Sequence, residues 1–91
     1  PTISFQIMNQ QNAIQFLLPG THSLRSDSFK YVSFFALSET IHEVSLKGVK
    51  YETNKVRMEQ TSTLFTSNEI IDEKASISFS NGICLMIKSK D

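Results

Sequence analysis

Histidine and cysteine, the side chains that most often perform catalysis or bind transition metals, are scarce in this chain. It contains two histidines, His22 and His42, and one cysteine, Cys84. No cluster of His, Cys and Asp has the spacing of a metal site, so we predict that no metal is bound. Cys84 lies between Ile83 and Leu85, and these apolar neighbours predict a buried and inert thiol. A nucleophilic cysteine would need an adjacent base, and the sequence places no histidine beside it.

The charged residues indicate no catalytic chemistry either. Glu69, Asp72 and Glu73 cluster in one segment, but without the glycine and ligand spacing that a calcium loop requires. Three glycines in the whole chain are too few for a glycine-rich phosphate loop. Four of the nine basic residues fall between positions 47 and 57, which predicts a solvated strand face, with contact to an anionic partner as the alternative. We therefore predict that the chain is not an enzyme and uses no cofactor.

The size and composition favour one small folded unit. The 91 residues are enough for a single domain, residues 1–91, with one core. Nine basic and nine acidic side chains give no net charge, which argues against direct contact with nucleic acid. Seven phenylalanines require burial and argue against disorder. No stretch approaches the ~20 consecutive apolar residues of a membrane span.

The first third of the chain predicts a β-hairpin. Apolar residues alternate over residues 3–8 and return over residues 13–18, with turn-forming Asn and Gln between them. A four-residue loop would pair Ile7 with Ile14 and Phe5 with Phe16, so that apolar side chains meet on one face. The other face of this hairpin is mixed in character.

The middle of the chain carries a helical pattern. Ser26 or Asp27 could cap a helix that runs to about residues 42–44. Four apolar side chains within it share one helical stripe, namely Phe34, Leu37, Ile41 and Val44. The aromatic first half, Phe29–Leu37, could instead form a strand. Because Phe34 and Phe35 are adjacent and break strict alternation, the helix is the favoured interpretation.

The last third of the chain returns to the period of two that is typical of strands. Alternation over residues 49–59 predicts two strands, and residues 60–74 read as a loop. Asn81-Gly82 is the pair favoured in a type I′ turn, so we predict a final hairpin in which Phe79 faces Cys84. The predicted fold is therefore α+β, a two-layer sandwich of one main helix on an antiparallel sheet of about five to six strands, in the order ββαββ(β)β.

The final predicted strand, residues 83–87, is apolar on both sides and therefore needs cover on both faces. The helix can cover only one face of the sheet. The loop 60–74 could fold over the other face, or a protein partner or a lipid-like ligand could occupy it. Five residues would line such a contact and are our candidate binding residues: Met8, Leu17, Ile83, Leu85 and Ile87.

This order of elements resembles the small periplasmic domains of ToxR-like membrane transcription regulators, in particular the bile-sensing VtrA type. The hairpin Ile3–Leu18, the helix around Ser26–Val44 and the strand set that ends at Ser76–Lys88 carry the resemblance. The resemblance implies a periplasmic domain of an inner-membrane protein that forms a heterodimer with a small membrane-anchored partner. It also implies an amphipathic ligand such as a bile salt.

Two hypotheses of function follow. The first is a non-catalytic sensory or interaction domain that signals to a transmembrane transcription regulator. The second is a small phage or bacterial accessory protein that binds and inhibits a target macromolecule, in which case the location would be cytoplasmic. The chain starts at Pro1, and either removal of an initiator Met or a position within a longer protein would produce that start.

Overall fold

The computed structural model describes residues 6–8, 12–25 and 29–90 of the chain. Every regular element among these residues is a β-strand, and none of them lies in a helix. The α+β prediction is therefore wrong, because the described chain is all-β. Its nine strands are β1 Gln6–Met8, β2 Asn12–Leu17, β3 Gly20–Ser23, β4 Tyr31–Ala36, β5 Ile41–Lys47, β6 Thr53–Met58, β7 Asn68–Glu69, β8 Ser76–Phe79 and β9 Cys84–Ser89.

The strands form two antiparallel sheets that share one hydrophobic core. The five-stranded sheet has the order β1-β2-β9-β4-β7, and the four-stranded sheet has the order β3-β8-β5-β6. Both sheets contribute buried side chains to the same cluster, including Phe34, Cys84 and Met86 from the first and Val44, Leu46 and Ile77 from the second. The architecture is thus a β-sandwich, in which each sheet buries one face against the other.

The segment predicted to be a helix forms two strands in different sheets. Burial alternates along β4, where Val32, Phe34 and Ala36 are buried and the residues between them are half-buried. Phe35 points away from the core, so the Phe34-Phe35 pair reflects a sheet with apolar residues on both faces. The alternative of a strand over Phe29–Leu37 is confirmed in outline. The proposed caps, Ser26 and Asp27, lie outside the described residues.

The helical spacing in the second half of this segment arises from irregular pairing in β5. The pairing of β5 with β6 shifts register between Ile41 and Val44 and again between Val44 and Leu46. Glu43, within the first shift, has a φ of 57°, a left-handed conformation that is typical of a bulge. The extra residue places Ile41 and Val44 three positions apart on the same buried face. A bulged strand therefore imitated the period of a helix.

The two predicted hairpins have opposite outcomes. In the first, Ile7 pairs with Ile14 as predicted, while Phe5 lies outside the described residues. The second hairpin is wrong, because β8 pairs with β3 and β5 whereas β9 pairs with β2 and β4. Residues 80–83 therefore carry the chain from one sheet to the other.

The Asn81-Gly82 pair anchors that crossing rather than a type I′ turn. Gly82 has a φ of 78°, but Asn81 is not in the left-handed region that such a turn also requires. The Asn81 side chain instead binds the start of β5 and the residue before it. Its Oδ1 accepts a hydrogen bond from the His42 backbone N at 2.7 Å, and its Nδ2 donates to the Thr40 carbonyl at 2.9 Å.

Cys84 is buried in the core, as the sequence predicted. Burial raises the pKa of its thiol from the ordinary value of 9.0 to about 12, partly offset by a backbone hydrogen bond from Phe35. Because the folded-state pKa is the higher one, the contribution of this buried thiol to the stability of the fold is fully present below pH 9.0 and is lost as the pH rises towards 12.

We expect Cys84 to resist alkylation by iodoacetamide in the native protein at pH 8 and to react fully in denaturant. The reason is that the thiolate is the reactive species and the core disfavours it. Mass spectrometry after timed quenching measures both rates. A native rate equal to the rate in denaturant would contradict the burial of this thiol.

Candidate functional site

The structure separates the residues that the sequence proposed as one contact surface. Leu17 pairs with Cys84 and is buried on the core face of the five-stranded sheet. Leu85 and Ile87 alternate with the buried positions of β9 and are half-buried on the opposite face. Ile83 is exposed just before β9, and the side chain of Met8 lies outside the described residues. A contact of these residues with a partner or ligand remains a prediction.

The side of the five-stranded sheet that points away from the core is mostly apolar. We call it the outer apolar face. Phe16 and Phe35 pair with Leu85 from the two sides, and Ile14 pairs with Ile87. The sequence indicated Leu85 and Ile87 but not their neighbours, because Phe35 was predicted to lie in a helix and Ile14 on the hairpin face opposite to Leu17. From the sequence, the loop 60–74 is a candidate cover for this face. Two of the apolar residues of that loop, Phe65 and Ile70, are part of the core instead.

One polar side chain is buried among the described residues, and it organises a corner at the edge of the five-stranded sheet. Asn68, in β7, is 1% exposed. Its Oδ1 accepts hydrogen bonds from the backbone N of Tyr51 at 3.0 Å and from its own neighbour, Glu69, at 2.9 Å. Its Nδ2 donates to the carbonyl of Tyr51 at 2.9 Å. We call Lys50, Tyr51, Ser67, Asn68 and Glu69 the Asn68 corner.

Backbone contacts hold the two segments of the Asn68 corner together. Val49 forms an antiparallel bridge with Ile70, and the Lys50 backbone N donates to the Glu69 carbonyl at 2.8 Å. Ser67 has a φ of 55°, and its backbone N donates to Ser33 Oγ at 2.8 Å. A non-glycine residue in this conformation costs on the order of 1–3 kcal/mol and is frequent at ligand-binding sites. The strain at Ser67 therefore makes this corner one candidate site, alongside the surface that carries the two other such residues, Glu43 and Lys55.

The Asn68 corner presents an aromatic ring and charged groups to solvent. Tyr51 is 56% exposed, so its ring is accessible to a ligand. Lys50 Nζ lies 5.5 Å from the centroid of the Tyr51 ring. The half-buried Glu69 carboxylate pairs with Lys30 Nζ at 3.7 Å. A flat heteroaromatic ligand that also carries charge suits this combination, since the ring can stack and the charged groups can pair.

A concave surface, which we call the serine groove, lies on the four-stranded sheet. It has a volume of about 240 Å³ and is lined by Gly20, Thr21, Glu43, Ser45, Lys55, Ser78, Phe79 and Ser80. Glu43 and Lys55 both have left-handed backbone conformations, with φ of 57° and 53°. The groove is open and offers no exposed aromatic ring, so it suits a stacked ligand less well than the Asn68 corner does.

The histidines and the acidic segment do not form a catalytic cluster. His22 Nε2 lies 2.6 Å from the Leu18 carbonyl oxygen, and its ring stacks on Phe79 at a centroid distance of 6.0 Å. His42 is exposed on β5, and Asp72 and Glu73 are exposed in the segment after β7. In the part of the chain that the structure describes, no three His, Cys, Asp or Glu side chains come close enough to hold a metal ion.

No sequence pattern indicated the Asn68 corner. Residues 67–69 read as Ser-Asn-Glu within a polar segment, which is typical of an ordinary loop. The role of Asn68 depends on Tyr51, which lies 17 positions earlier in the chain. A contact of that separation leaves no local pattern in a single sequence.

Comparisons with known proteins place these features in a family context. Residues 21–84 match the family model described as "Thiamin pyrophosphokinase, vitamin B1 binding domain". The chain is 41% identical over 90 residues to the thiamine pyrophosphokinase of Bacillus subtilis (strain 168), covering 98% of this chain and 42% of that protein. The chain therefore spans about two fifths of the length of this relative.

Solved structures agree in fold. The crystal structure of the Bacillus subtilis thiamine pyrophosphokinase superposes with a TM-score of 0.93 at 40% identity, over 98% of this chain and 42% of that one. The thiamin pyrophosphokinase of Geobacillus thermodenitrificans gives a TM-score of 0.87 at 40% identity, over 94% and 40%. A thiamin pyrophosphokinase family protein of Enterococcus faecalis gives 0.81 at 30% identity, over 94% and 40%.

Proposed function

Because the chain belongs to the family of thiamin pyrophosphokinase vitamin B1-binding domains, we propose that it supplies the thiamin-binding part of such an enzyme. The family match over residues 21–84 is the observation that carries this proposal. The complete reaction would transfer a pyrophosphate group from a nucleoside triphosphate to the hydroxyl of thiamin. Since the chain spans 42% of its Bacillus subtilis relative, that activity is proposed for the whole protein, with the nucleotide held largely outside this chain.

This family membership overturns the hypotheses that came from the sequence. The ToxR-like resemblance is wrong, and the bile-sensing function and the membrane-anchored partner that it implied are wrong with it. The resemblance relied on an order of elements that included a helix, and the described chain has none. The prediction that the chain is not an enzyme is wrong, because the chain belongs to a family of pyrophosphokinases, which are enzymes. The accessory-protein alternative gains no support.

The location is part of the proposal. The periplasmic prediction depended on the ToxR-like resemblance and has no other support, whereas the cytoplasmic alternative is consistent with a thiamin pyrophosphokinase. No helix among the described residues has the length and apolar character needed to cross a membrane. That residues 1–91 make up a single domain also remains a prediction.

The Asn68 corner is our proposed contact for thiamin within this chain. Thiamin contains an aminopyrimidine ring and a positively charged thiazolium ring, and both rings are flat and aromatic. The exposed ring of Tyr51 offers a face on which one of them can stack. The Glu69 carboxylate lies at the same corner; it contacts Lys30 Nζ at 3.7 Å but stays partly exposed, so it can also attract the thiazolium. The outer apolar face and the serine groove do not combine an exposed aromatic ring with an acid in this way.

We expect Tyr51→Ala to weaken thiamin binding about tenfold. Stacking of a flat heterocycle on an aromatic side chain is worth about 1–3 kcal/mol, and about 1.4 kcal/mol corresponds to a factor of ten. Isothermal titration calorimetry of the full protein with thiamin measures the change. Tyr51→Phe, which keeps the ring, is the matched control and should bind within about twofold of the wild type, because the aromatic face is retained. Equal affinities of Tyr51→Ala and the wild type would contradict the proposed contact.

A further inference from the structure

We infer that Asn68 is a positioning residue, whose buried amide fixes the backbone of Tyr51 and thereby the direction of its ring. This inference rests on the proposed thiamin contact at Tyr51. Asn68 is 1% exposed, so a ligand at the surface of the corner does not reach its amide. The amide therefore acts through Tyr51 rather than by touching the ligand.

The hydrogen bonds of Asn68 imitate those of a paired strand. In an antiparallel ladder, one residue exchanges both its N–H and its C=O with a single partner. Here a side chain makes that exchange, since Asn68 Oδ1 accepts from the Tyr51 N–H and Asn68 Nδ2 donates to the Tyr51 carbonyl. The two distances, 3.0 and 2.9 Å, are both ordinary hydrogen-bond lengths. Tyr51 is thereby fixed although it lies outside the regular strands.

The third hydrogen bond fixes Asn68 itself. Its Oδ1 also accepts from the Glu69 backbone N at 2.9 Å, so the amide plane cannot flip without losing partners. The neighbouring residue Ser67 is held in a left-handed conformation by its bond to Ser33 Oγ. The hydrogen bonds of β7 and Ser67 therefore hold Asn68 in place, and Asn68 in turn holds the backbone of Tyr51. Precise ligand contacts require such second-layer hydrogen bonds.

Asn68→Asp tests the inference with little change of shape. The carboxylate keeps an acceptor for the N–H groups but turns the Nδ2 donor into an oxygen that faces the Tyr51 carbonyl. We expect thiamin affinity of the full protein to fall about tenfold, as a misplaced stacking ring would give. The double variant Asn68→Asp/Tyr51→Ala should bind no more weakly than Tyr51→Ala alone, because the amide acts through the ring.

Asn81→Asp is the matched control. Asn81 also binds a backbone N–H and a backbone carbonyl with one amide, but in the segment 40–42 and away from the Asn68 corner. Asn81→Asp likewise turns an Nδ2 donor into an oxygen that faces a backbone carbonyl, that of Thr40, and it also removes the Nδ2 hydrogen bond to Glu39 Oε2 at 3.1 Å. It should leave thiamin affinity unchanged, because Asn81 lies outside the Asn68 corner. Multiplying losses in the double variant, or wild-type affinity of Asn68→Asp, would overturn the inference.

A ligand-free measurement separates this inference from the proposed function. Hydrogen exchange by NMR should show a protected Tyr51 amide in the wild type, and at least tenfold faster exchange of that amide in Asn68→Asp. Unchanged exchange would overturn the inference even if thiamin binds. Conversely, a protected amide in a protein that does not bind thiamin would refute the proposed function and leave the positioning of Tyr51 in place. If Asn68→Asp does not fold, an unprotected Tyr51 amide in the wild type still overturns the inference.

Discussion

Substitution of Phe65 by alanine is expected to destabilise the fold by about 3–5 kcal/mol, the usual range for removing a buried phenylalanine. Phe65 lies in the loop between β6 and β7 and is 0% exposed within the hydrophobic core. Its carbonyl also accepts a hydrogen bond from the Phe34 backbone N at 2.9 Å, which attaches the loop to β4. The expected loss is a large part of the roughly 5–15 kcal/mol that stabilises a typical domain.

Urea denaturation followed by circular dichroism measures this effect, and the neighbouring residue provides the control. Leu64 is 58% exposed in the same loop. Leu64→Ala should therefore change the free energy of unfolding by less than about 0.5 kcal/mol, as surface substitutions usually do. Similar losses for the two variants would show that Phe65 does not occupy the core.

Gly48→Ala is expected to cost about 3 kcal/mol. Gly48 follows β5 and has a φ of 74°, which is strained for any residue with a Cβ. A Cβ at this position would lie 2.6 Å from Ala75 Cα and 2.9 Å from Ala75 Cβ, so backbone would have to move. The left-handed conformation contributes about 1–2 kcal/mol and the overpacking about 1–3 kcal/mol.

The same substitution has a consequence for the Asn68 corner. The Gly48 carbonyl accepts hydrogen bonds from Ile71 N at 3.0 Å and Asp72 N at 3.1 Å, directly after β7. A shift of Gly48 away from Ala75 would weaken the contact between the segment that carries Tyr51 and the strand that carries Asn68. Thermal unfolding of Gly48→Ala measures the stability loss.

Gly82→Ala is a control with nearly the same backbone conformation. Gly82 has a φ of 78°, and a Cβ there would lie 3.2 Å from two side-chain atoms, Glu39 Cγ and Ile41 Cγ1, with no backbone atom as close. We expect the loss at Gly82 to be smaller than the loss at Gly48, since a side chain gives way more readily than the Ala75 backbone. Equal losses at the two glycines would contradict the close approach of Gly48 to Ala75.

Local patterns predicted the parts of this fold that depend on neighbouring residues. The pairing of Ile7 with Ile14 followed from the length of one turn, and the burial of Cys84 followed from its apolar neighbours. The apolar run over residues 83–87 predicted a strand, and β9 occupies Cys84–Ser89. These inferences needed little information beyond a few adjacent positions.

Features that depend on distant residues were misread or missed. The bulge at Glu43 changed the spacing of buried residues in β5 from two to three, and a single sequence does not distinguish this from a helix. Asn81-Gly82 has the composition of a tight hairpin turn. The two strands that flank it nevertheless belong to different sheets, β8 to the four-stranded sheet and β9 to the five-stranded sheet. The hydrogen bonds between Asn68 and Tyr51 join residues that are 17 positions apart, and only the folded chain brings them together.

The most direct test of the proposed function is to map thiamin onto this chain by two-dimensional NMR of the isotopically labelled full protein. We predict saturable shifts that are largest for the backbone amides of Tyr51 and its neighbours in the Asn68 corner. The amides of the serine groove, represented by Ser45 and Ser78, should be little affected. The absence of saturable shifts anywhere in this chain, or their concentration in the serine groove, would contradict thiamin binding at the Asn68 corner.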